Sequence, residues 1–349
     1  MKSILFIIRN EYHLYSTLCM YYKYFNTENF DFKLIIVKRF QNERIEEHYE
    51  LPFEYFVFED YLNYQDMRRV KKYPDYEKKI HDIFTHVDEF YTYFDFSFLI
   101  TIIVNKLKKK SSTKFFLMQE GVGGYYDLVF NRWLIRRSLK SLVSYLYIKY
   151  YRKIKNINFV YRWGGYKKID VLKTFYPDKI KKHIKAKPIN LDINIDSDLN
   201  SKIKDIFKFY LRFSPSEKYF LYLPIGDSGD SSLAKQKEFD LIDKLLKLSI
   251  ENGFKFIIKI KSGVASSSYI DRYNDKAIII SAKIPAEIII SDIYNSIIVS
   301  AFSSSAMHNV NNNKYFWVYP LLDYQTNLIP FTKDINLVKS YSELEQWIN

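Results

Sequence analysis

The stretch KSILFIIRNEYHLYSTLCMYYKYFNTENFDFKLIIV, residues 2–37, decides the fold class. Residues 4–8 form an unbroken apolar run that reads as a first strand. Residues 12–25 read as a helix, and residues 32–37 as a second strand. Strand, helix, strand at the very start is a βαβ opening, which calls for a parallel sheet. Working outward, residues 53–58 and 89–93 read as further strands and residues 75–84 and 96–109 as helices. A strand at 114–118 leads into Glu120, and a short one at 158–161 precedes Trp163-Gly164-Gly165. The texture changes at 185–201, where Pro188 is followed by many Asn and Asp residues, the mark of an interdomain linker. A second α/β pattern follows: a strand at 219–223, a small-residue loop at 224–232, and a helix at 237–252. Strands at 255–261, 277–280, 297–302 and 315–319 come next, the last of these closing the set. Ser340 and Glu343 form a capping box for a terminal helix at 341–348. The expected division is a first domain at 1–187, a linker at 188–200, a second domain at 201–335 and a C-terminal helix at 336–349. The class is α/β with two Rossmann-like parallel-sheet domains, a layout shared by periplasmic-binding-type proteins and other two-domain folds, so fold alone does not decide function.

Bulk composition narrows the field. A chain of 349 residues is long for one core, and 48% apolar content is ample for two. The single cysteine, Cys19, excludes an intramolecular disulfide and any multi-cysteine metal site, and fits a reducing compartment. The six histidines (His13, His48, His81, His86, His183, His308) show no metal-binding spacing, and His81 and His86 would not share a helix face. No metal site is expected. The N-terminal apolar run is too short for a signal-peptide core, and no run reaches the roughly 18 residues of a spanning helix. The sequence therefore reads as cytoplasmic, peripheral on the inner face of the cytoplasmic membrane. The membrane part of that reading comes from charge. The net charge is +13, and between Arg132 and Lys187 there are 17 Lys and Arg against two acids, Asp170 and Asp178. Trp133, Leu134, Leu142, Tyr145, Leu146 and Tyr150 interleave with those cations. This pattern fits a solvated basic helix with one buried face, or a helix lying on an anionic leaflet. Nucleic acid is the weaker reading, because no helix-turn-helix, zinc-finger or RNA-binding signature accompanies the charge.

Five segments carry candidate chemistry. Glu120 follows a strand and precedes Gly121, Gly123 and Gly124, which permit a tight turn and close approach of a ligand. It reads either as a loop carboxylate or as a base facing the crevice at the strand's carboxyl end. The loop at 224–232 contains Gly226, Asp227 and Ser228 and suits a nucleotide or a plain surface turn. Lys259 and Lys261 close the next strand, where a cation can neutralise a phosphate or simply keep an edge soluble. Glu287 suits ribose hydroxyls or the first turn of a helix. Ser303, Ser304 and Ser305 at a strand-to-helix junction suit a phosphate monoester, where one serine would suffice for capping. A carboxylate before a glycine turn, together with a hydroxyl cluster at a helix start, fits sugar transfer from a nucleotide donor.

In their order, these motifs resemble the bacterial CMP-sialic acid-dependent sialyltransferases of the GT-B type, the lipooligosaccharide sialyltransferases and more distantly the capsular polysialyltransferases. The resemblance spans nearly the whole chain through short motifs: Glu120-Gly121, Pro285-Ala286-Glu287 and Ser303-Ser304-Ser305. It implies a GT-B fold whose domains face a central cleft, the first binding acceptor and the second the nucleotide sugar. It implies an inverting transfer of sialic acid or a related nonulosonate to a cell-surface glycan, lipooligosaccharide or capsule. Glu120 would be the base, Glu287 would hold the cytidine ribose, and the serines and Lys261 would hold the CMP phosphate. No cofactor beyond the CMP-sugar co-substrate is implied, and no nucleic acid partner. The acceptor would be a lipid-linked glycan, and homo-oligomerisation stays open. The chain departs from the family at Lys259-Ile260-Lys261-Ser262, where the family carries Lys-Pro-His-Pro. That departure leaves room for a GT-B transferase using a UDP or GDP sugar, or for a catalytically degenerate glycan-binding scaffold.

Overall fold

The computed structural model describes residues 1–38, 49–59, 86–110, 112–121, 123–126, 132–151, 157–160, 163–194, 196–225, 232–261, 267–302, 304, 306, 312–322, 329–330 and 332–348. The chain divides into two compact units, Met1–Leu199 and Asn200–Asn349.

The first unit is built on a seven-stranded parallel sheet. Its strands are β1 (Lys2–Ile8), β2 (Phe30–Lys38), β3 (Glu54–Glu59), β4 (Glu89–Thr92), β5 (Lys114–Met118), β6 (Val171–Thr174) and β7 (Lys187–Asn190). Their order is β3-β2-β1-β4-β5-β6-β7. From β1 the chain winds one way to β3, then returns to the other side of β1 and winds the opposite way. The gap between the carboxyl ends of β1 and β4 is thus the topological switch point, where open α/β sheets take their ligands. Among the described residues, the α-helices of this unit are α1 (Glu11–Met20), α2 (Phe98–Lys110) and α3 (Arg132–Leu146). Both α1 and α3 run on into a π-helical turn, at Tyr21–Phe25 and Tyr147–Tyr151.

Aromatic side chains knit the central strands. Phe6 pairs with Tyr91, and Tyr91 with Phe116, in register across β1, β4 and β5. Their rings stack at 4.4 Å with interplanar angles of 3° and 9°. Phe32 of β2 stacks on the other side of Phe6 at 5.2 Å. Such in-register pairs, each worth about 0.5–1.5 kcal/mol beyond area burial, pin the strand register and so fix where each strand ends.

The second unit carries a six-stranded parallel sheet: β8 (Lys218–Leu223), β9 (Phe254–Lys259), β10 (Ile278–Ile280), β11 (Ile297–Ser300), β12 (Lys314–Trp317) and β13 (Ile335–Leu337). The order is β10-β9-β8-β11-β12-β13, so a second switch point lies between β8 and β11. Among the described residues, its α-helices are α4 (Ser197–Ile206, which begins in the first unit), α5 (Ser232–Glu251), α6 (Ser267–Tyr273), α7 (Ala286–Asp292) and α8 (Tyr341–Ile348). Phe220, Ile242, Leu245, Ile258, Val299 and Phe316 centre its core. At α8 the Glu343 N–H donates to Ser340 Oγ (3.2 Å), while Glu343 accepts from the Lys339 N–H (2.8 Å). This is the expected capping box, its return bond shifted by one residue. The fold class is α/β with two Rossmann-like parallel-sheet units in tandem.

Four expectations change. Residues 188–200 do not form a plain linker: Pro188 lies in β7, and α4 begins at Ser197. β7 is the edge strand of its sheet, the position where a residue without an N–H is tolerated. Residues 158–160 are not a strand. The Asn158 N–H donates to Thr101 Oγ1 (3.2 Å) and its side chain bonds Asn105, so α2 side chains take the place of a ladder. The strand at 314–317 is not the last, because β13 follows it. The first helix ends at Met20 before its π turn. The helix expected at 75–84 lies outside the described residues.

Glycine packing gives a paired prediction. A Cβ on Gly124 would come within 2.9 Å of the Trp163 ring and 3.1 Å of Ile180, whereas one on Gly123 meets nothing within 4 Å. Gly124→Ala is expected to lower stability by about 1–3 kcal/mol. Gly123→Ala should stay within about 0.5 kcal/mol of the parent. Urea unfolding of the two variants checks it.

Candidate active site

The carboxyl ends of β1, β4, β5 and β6 bring five short segments together. After β1, Asn10 caps α1: its Oδ1 accepts from the His13 N–H at 2.9 Å. The cap sets the first turn of α1 and turns His13 inward, where it is fully buried. The imidazole stacks on Tyr93, just past β4, at 4.2 Å and 10°. Tyr93 is itself fixed by a 3.2 Å bond between its hydroxyl and Thr17. The Arg9 N–H donates to His13 Nδ1 at 3.2 Å. A ring nitrogen that accepts carries no proton, so the neutral imidazole bears its hydrogen on Nε2. His13 Nε2 lies 3.2 Å from Glu120 Oε1 and donates to it. Asn10 Nδ2 lies 3.3 Å from the same Nε2, a contact between two donors once that tautomer is set.

Burial and charge hold the ring neutral. Desolvation lowers the His13 pKa below its usual value; the Glu120 carboxylate pushes back, and Arg9 adds to the lowering. Arg9 itself lies 3.6 Å over the Phe94 ring. Exposure separates the two partners' tasks. The His13 side chain is 0% exposed and that of Glu120 is 36% exposed, so only the carboxylate is within reach of a ligand.

The neighbour of Glu120 fixes the turn that presents it. Gln119 Oε1 accepts from the Tyr125 hydroxyl (2.5 Å), the Thr174 hydroxyl (2.7 Å) and the Phe175 N–H (3.0 Å). Gln119 Nε2 donates to the Gly121 carbonyl at 2.9 Å. The amide thus clamps the 119–125 turn to the end of β6. Gly121 sits at φ +67, in the left-handed region that favours glycine. Asp95, past β4, accepts from the Gly164 and Tyr166 N–H groups at 3.0 and 2.9 Å and ties down the Trp163–Tyr166 loop. Burial pushes the Asp95 carboxyl up to about 6 despite those bonds.

In the second unit, the candidate residues gather at the carboxyl end of its own sheet. Lys259 ends β9, is buried, and its ammonium bonds the Ile260 carbonyl. Glu287, in the first turn of α7, is buried too, and burial raises its carboxyl to about 7 against the pull of Lys259. Lys261 is exposed, and its Nζ donates to the Ile225 carbonyl at 2.9 Å, at the exit of β8. Ser304 follows β11, and its Oγ accepts from the Ala306 N–H at 3.3 Å. Gly226, Asp227, Ser228, Ser303 and Ser305 lie outside the described residues. Among the described residues, no group of three or more His, Cys, Asp or Glu is arranged to hold a metal.

Sequence reasoning singled out Glu120 and its glycines but gave no role to His13, Gln119 or Glu238. Glu238 is a buried carboxylate of α5 that accepts from the Tyr222 hydroxyl and the Ile225 N–H (both 3.0 Å) and from the Tyr269 hydroxyl (3.0 Å). It braces the start of the loop after β8. The asparagine cap before α1 was the available signal for His13. Its pairing with Glu120, 107 positions away, is visible only in three dimensions.

No protein-family model and no curated protein sequence matches the chain. Among solved structures it is similar to the UDP-GlcNAc 2-epimerase of Methanocaldococcus jannaschii, at 10% identity, covering 100% of this chain and 91% of that one, with a TM-score of 0.49. It is similar to the wall teichoic acid polymerase TagF at 11% identity, covering 99% and 79%, with a TM-score of 0.49. The E. coli ADP-heptose LPS heptosyltransferase II gives 10% identity, 97% and 90% coverage, and a TM-score of 0.42.

The buried Glu287 carries a pH signature. Its folded-state value is raised from 4.5 to about 7, so the folded chain keeps a proton there that the unfolded chain has already lost. The contribution is fully present below pH 4.5 and is lost as pH rises through about 7, by roughly 3 kcal/mol at most. Glu287→Gln removes this slope. Melting temperatures of parent and variant, followed from acid to mildly alkaline pH, should diverge in the variant's favour as pH rises.

Proposed function

We propose that the chain transfers a sugar from a nucleotide-activated donor to an acceptor hydroxyl, with Glu120 as the general base. The observation that carries this reading is a partly exposed carboxylate, held by a buried neutral histidine, at the switch point of a parallel sheet. Glu120 takes the acceptor proton as the oxygen attacks the anomeric carbon, with inversion. His13 Nε2–H holds the carboxylate in one orientation, which restricts it to productive geometry. The departing phosphate develops negative charge, and Lys261 and Ser304 are the described residues assigned to it. CMP-nonulosonate is the donor that the sequence motifs imply. A UDP or GDP sugar is the second reading, favoured by the lysine at 261 where the family has histidine. The intact His13–Glu120 pair argues against a degenerate scaffold.

Two measurements test it. Titration calorimetry with CMP, CDP, UMP, UDP and GDP should show saturable binding of one nucleotide class, and transfer is then assayed with the matching sugar. Glu120→Gln should lower kcat by about 10²–10⁴-fold while leaving nucleotide affinity unchanged. His13→Phe should lower kcat by about tenfold or more at near-constant KM, and His13→Gln, which keeps an N–H donor, should recover part of the loss. Near-full transfer by Glu120→Gln, or no binding of any nucleotide, overturns the proposal.

A further inference from the structure

The second half of helix α3 presents apolar side chains to solvent. Leu139, Leu142, Val143 and Leu146, at i, i+3, i+4 and i+7, form one stripe, and that stripe faces solvent. Leu139 and Val143 are 57% and 56% exposed, whereas Ser144 is buried at 2%. Tyr150, on the π turn that follows, continues the exposed surface at 67%. A helix of a soluble domain ordinarily puts its leucines inward and its serines outward. Ile148, on the π turn, is by contrast fully buried. Residues 132–151 contain Arg132, Arg136, Arg137, Lys140 and Lys149 and no acid.

We infer that this face seats on an anionic lipid bilayer, the apolar stripe entering the headgroup boundary and the cations meeting lipid phosphates. The charge selects the occupant. A second copy of the chain would set two segments, each with five cations and no acid, against each other, and like charges across an interface oppose pairing. Nucleic acid would satisfy the cations but leave the leucines in water. An anionic leaflet satisfies both at once, as interfacial helices with basic flanks do. The helix follows the glycine turn after β5, so docking would hold the edge that carries Glu120 near the membrane. Its acceptors would then be sugars presented on lipid. The docking itself does not depend on the transfer reading, and it is measured without any nucleotide or sugar.

The test is co-sedimentation of the full chain with vesicles of phosphatidylglycerol and phosphatidylcholine in equal parts, and with phosphatidylcholine alone. The parent chain should partition into the anionic vesicles and much less into the neutral ones, and added salt should weaken the binding. The triple variant Leu142→Ser/Val143→Ser/Leu146→Ser should lose about tenfold or more in partitioning while remaining folded, because these side chains lie at the exposed surface. Arg136→Gln/Arg137→Gln/Lys140→Gln should lose the preference for anionic vesicles. Three outcomes would overturn the inference: no partitioning of the parent, unchanged partitioning of the triple variant, or a dimer of the parent that the triple variant dissolves without any vesicle binding.

Discussion

Phe6, Tyr91 and Phe116 stack through three neighbouring strands, and that column governs where the chain can place chemistry. Strand register in a parallel sheet is set by what each side chain meets on its neighbours, and a slip by one residue would turn each ring to the opposite face. With the three aromatics locked in register, β1, β4 and β5 end level with one another. Asn10 and His13, Tyr93 and Asp95, and Gln119 and Glu120 then emerge from adjacent strand ends. The His13–Glu120 contact joins α1 to the β5 exit, and it forms because the ladder leaves neither strand free to slide.

Beside that ladder, buried polar side chains shape the loops by the hydrogen bonds they make. Gln119 offers one carbonyl oxygen to three donors and one amide hydrogen to a backbone carbonyl. A buried amide of this kind carries a penalty of about 1–3 kcal/mol for each partner removed, so it specifies a single turn geometry. Asp95 does the same for the 163–166 loop, using two backbone N–H groups. Glu238 repeats the device in the second unit, where it meets two tyrosine hydroxyls and the Ile225 N–H. In both units a buried side-chain acceptor, placed beside a strand end, shapes a loop at the sheet's carboxyl edge.

These devices explain what could be read in the chain and what could not. The βαβ opening was legible because apolar runs and helical spacing are local, and Glu120 because an acid before glycines at a strand end is a local pattern. His13 was not. A histidine among apolar helix positions reads as core, and its role comes from Arg9, Tyr93 and Glu120 converging on it. Gln119 lay in plain view beside Glu120, yet its partners at 125, 174 and 175 depend on β6 lying beside β5. The linker expected at 188–200 misled for a related reason. Proline and asparagine signal a break only when the neighbours of a strand are unknown, and at a sheet edge Pro188 still belongs to β7. The exposed stripe of α3 was half legible: its cations and apolar residues were countable, but which of them faced outward was not.

The direction of the His13 bonds limits what the histidine can do. Its Nδ1 is engaged by the Arg9 backbone N–H, whose proton does not leave, and its Nε2 already donates to Glu120. A ring held this way has no second exchangeable site through which to pass a proton, and burial further disfavours its charged form. The imidazole therefore positions the carboxylate and does not relay for it. In the proposed reaction a proton taken up by Glu120 would return to solvent directly, and the 36% exposure of its side chain leaves that route open. For the proposed base, ligand access and proton release would impose the same demand on one edge of the sheet. The buried histidine, the clamped glutamine turn and the open carboxylate together are an arrangement that would meet it.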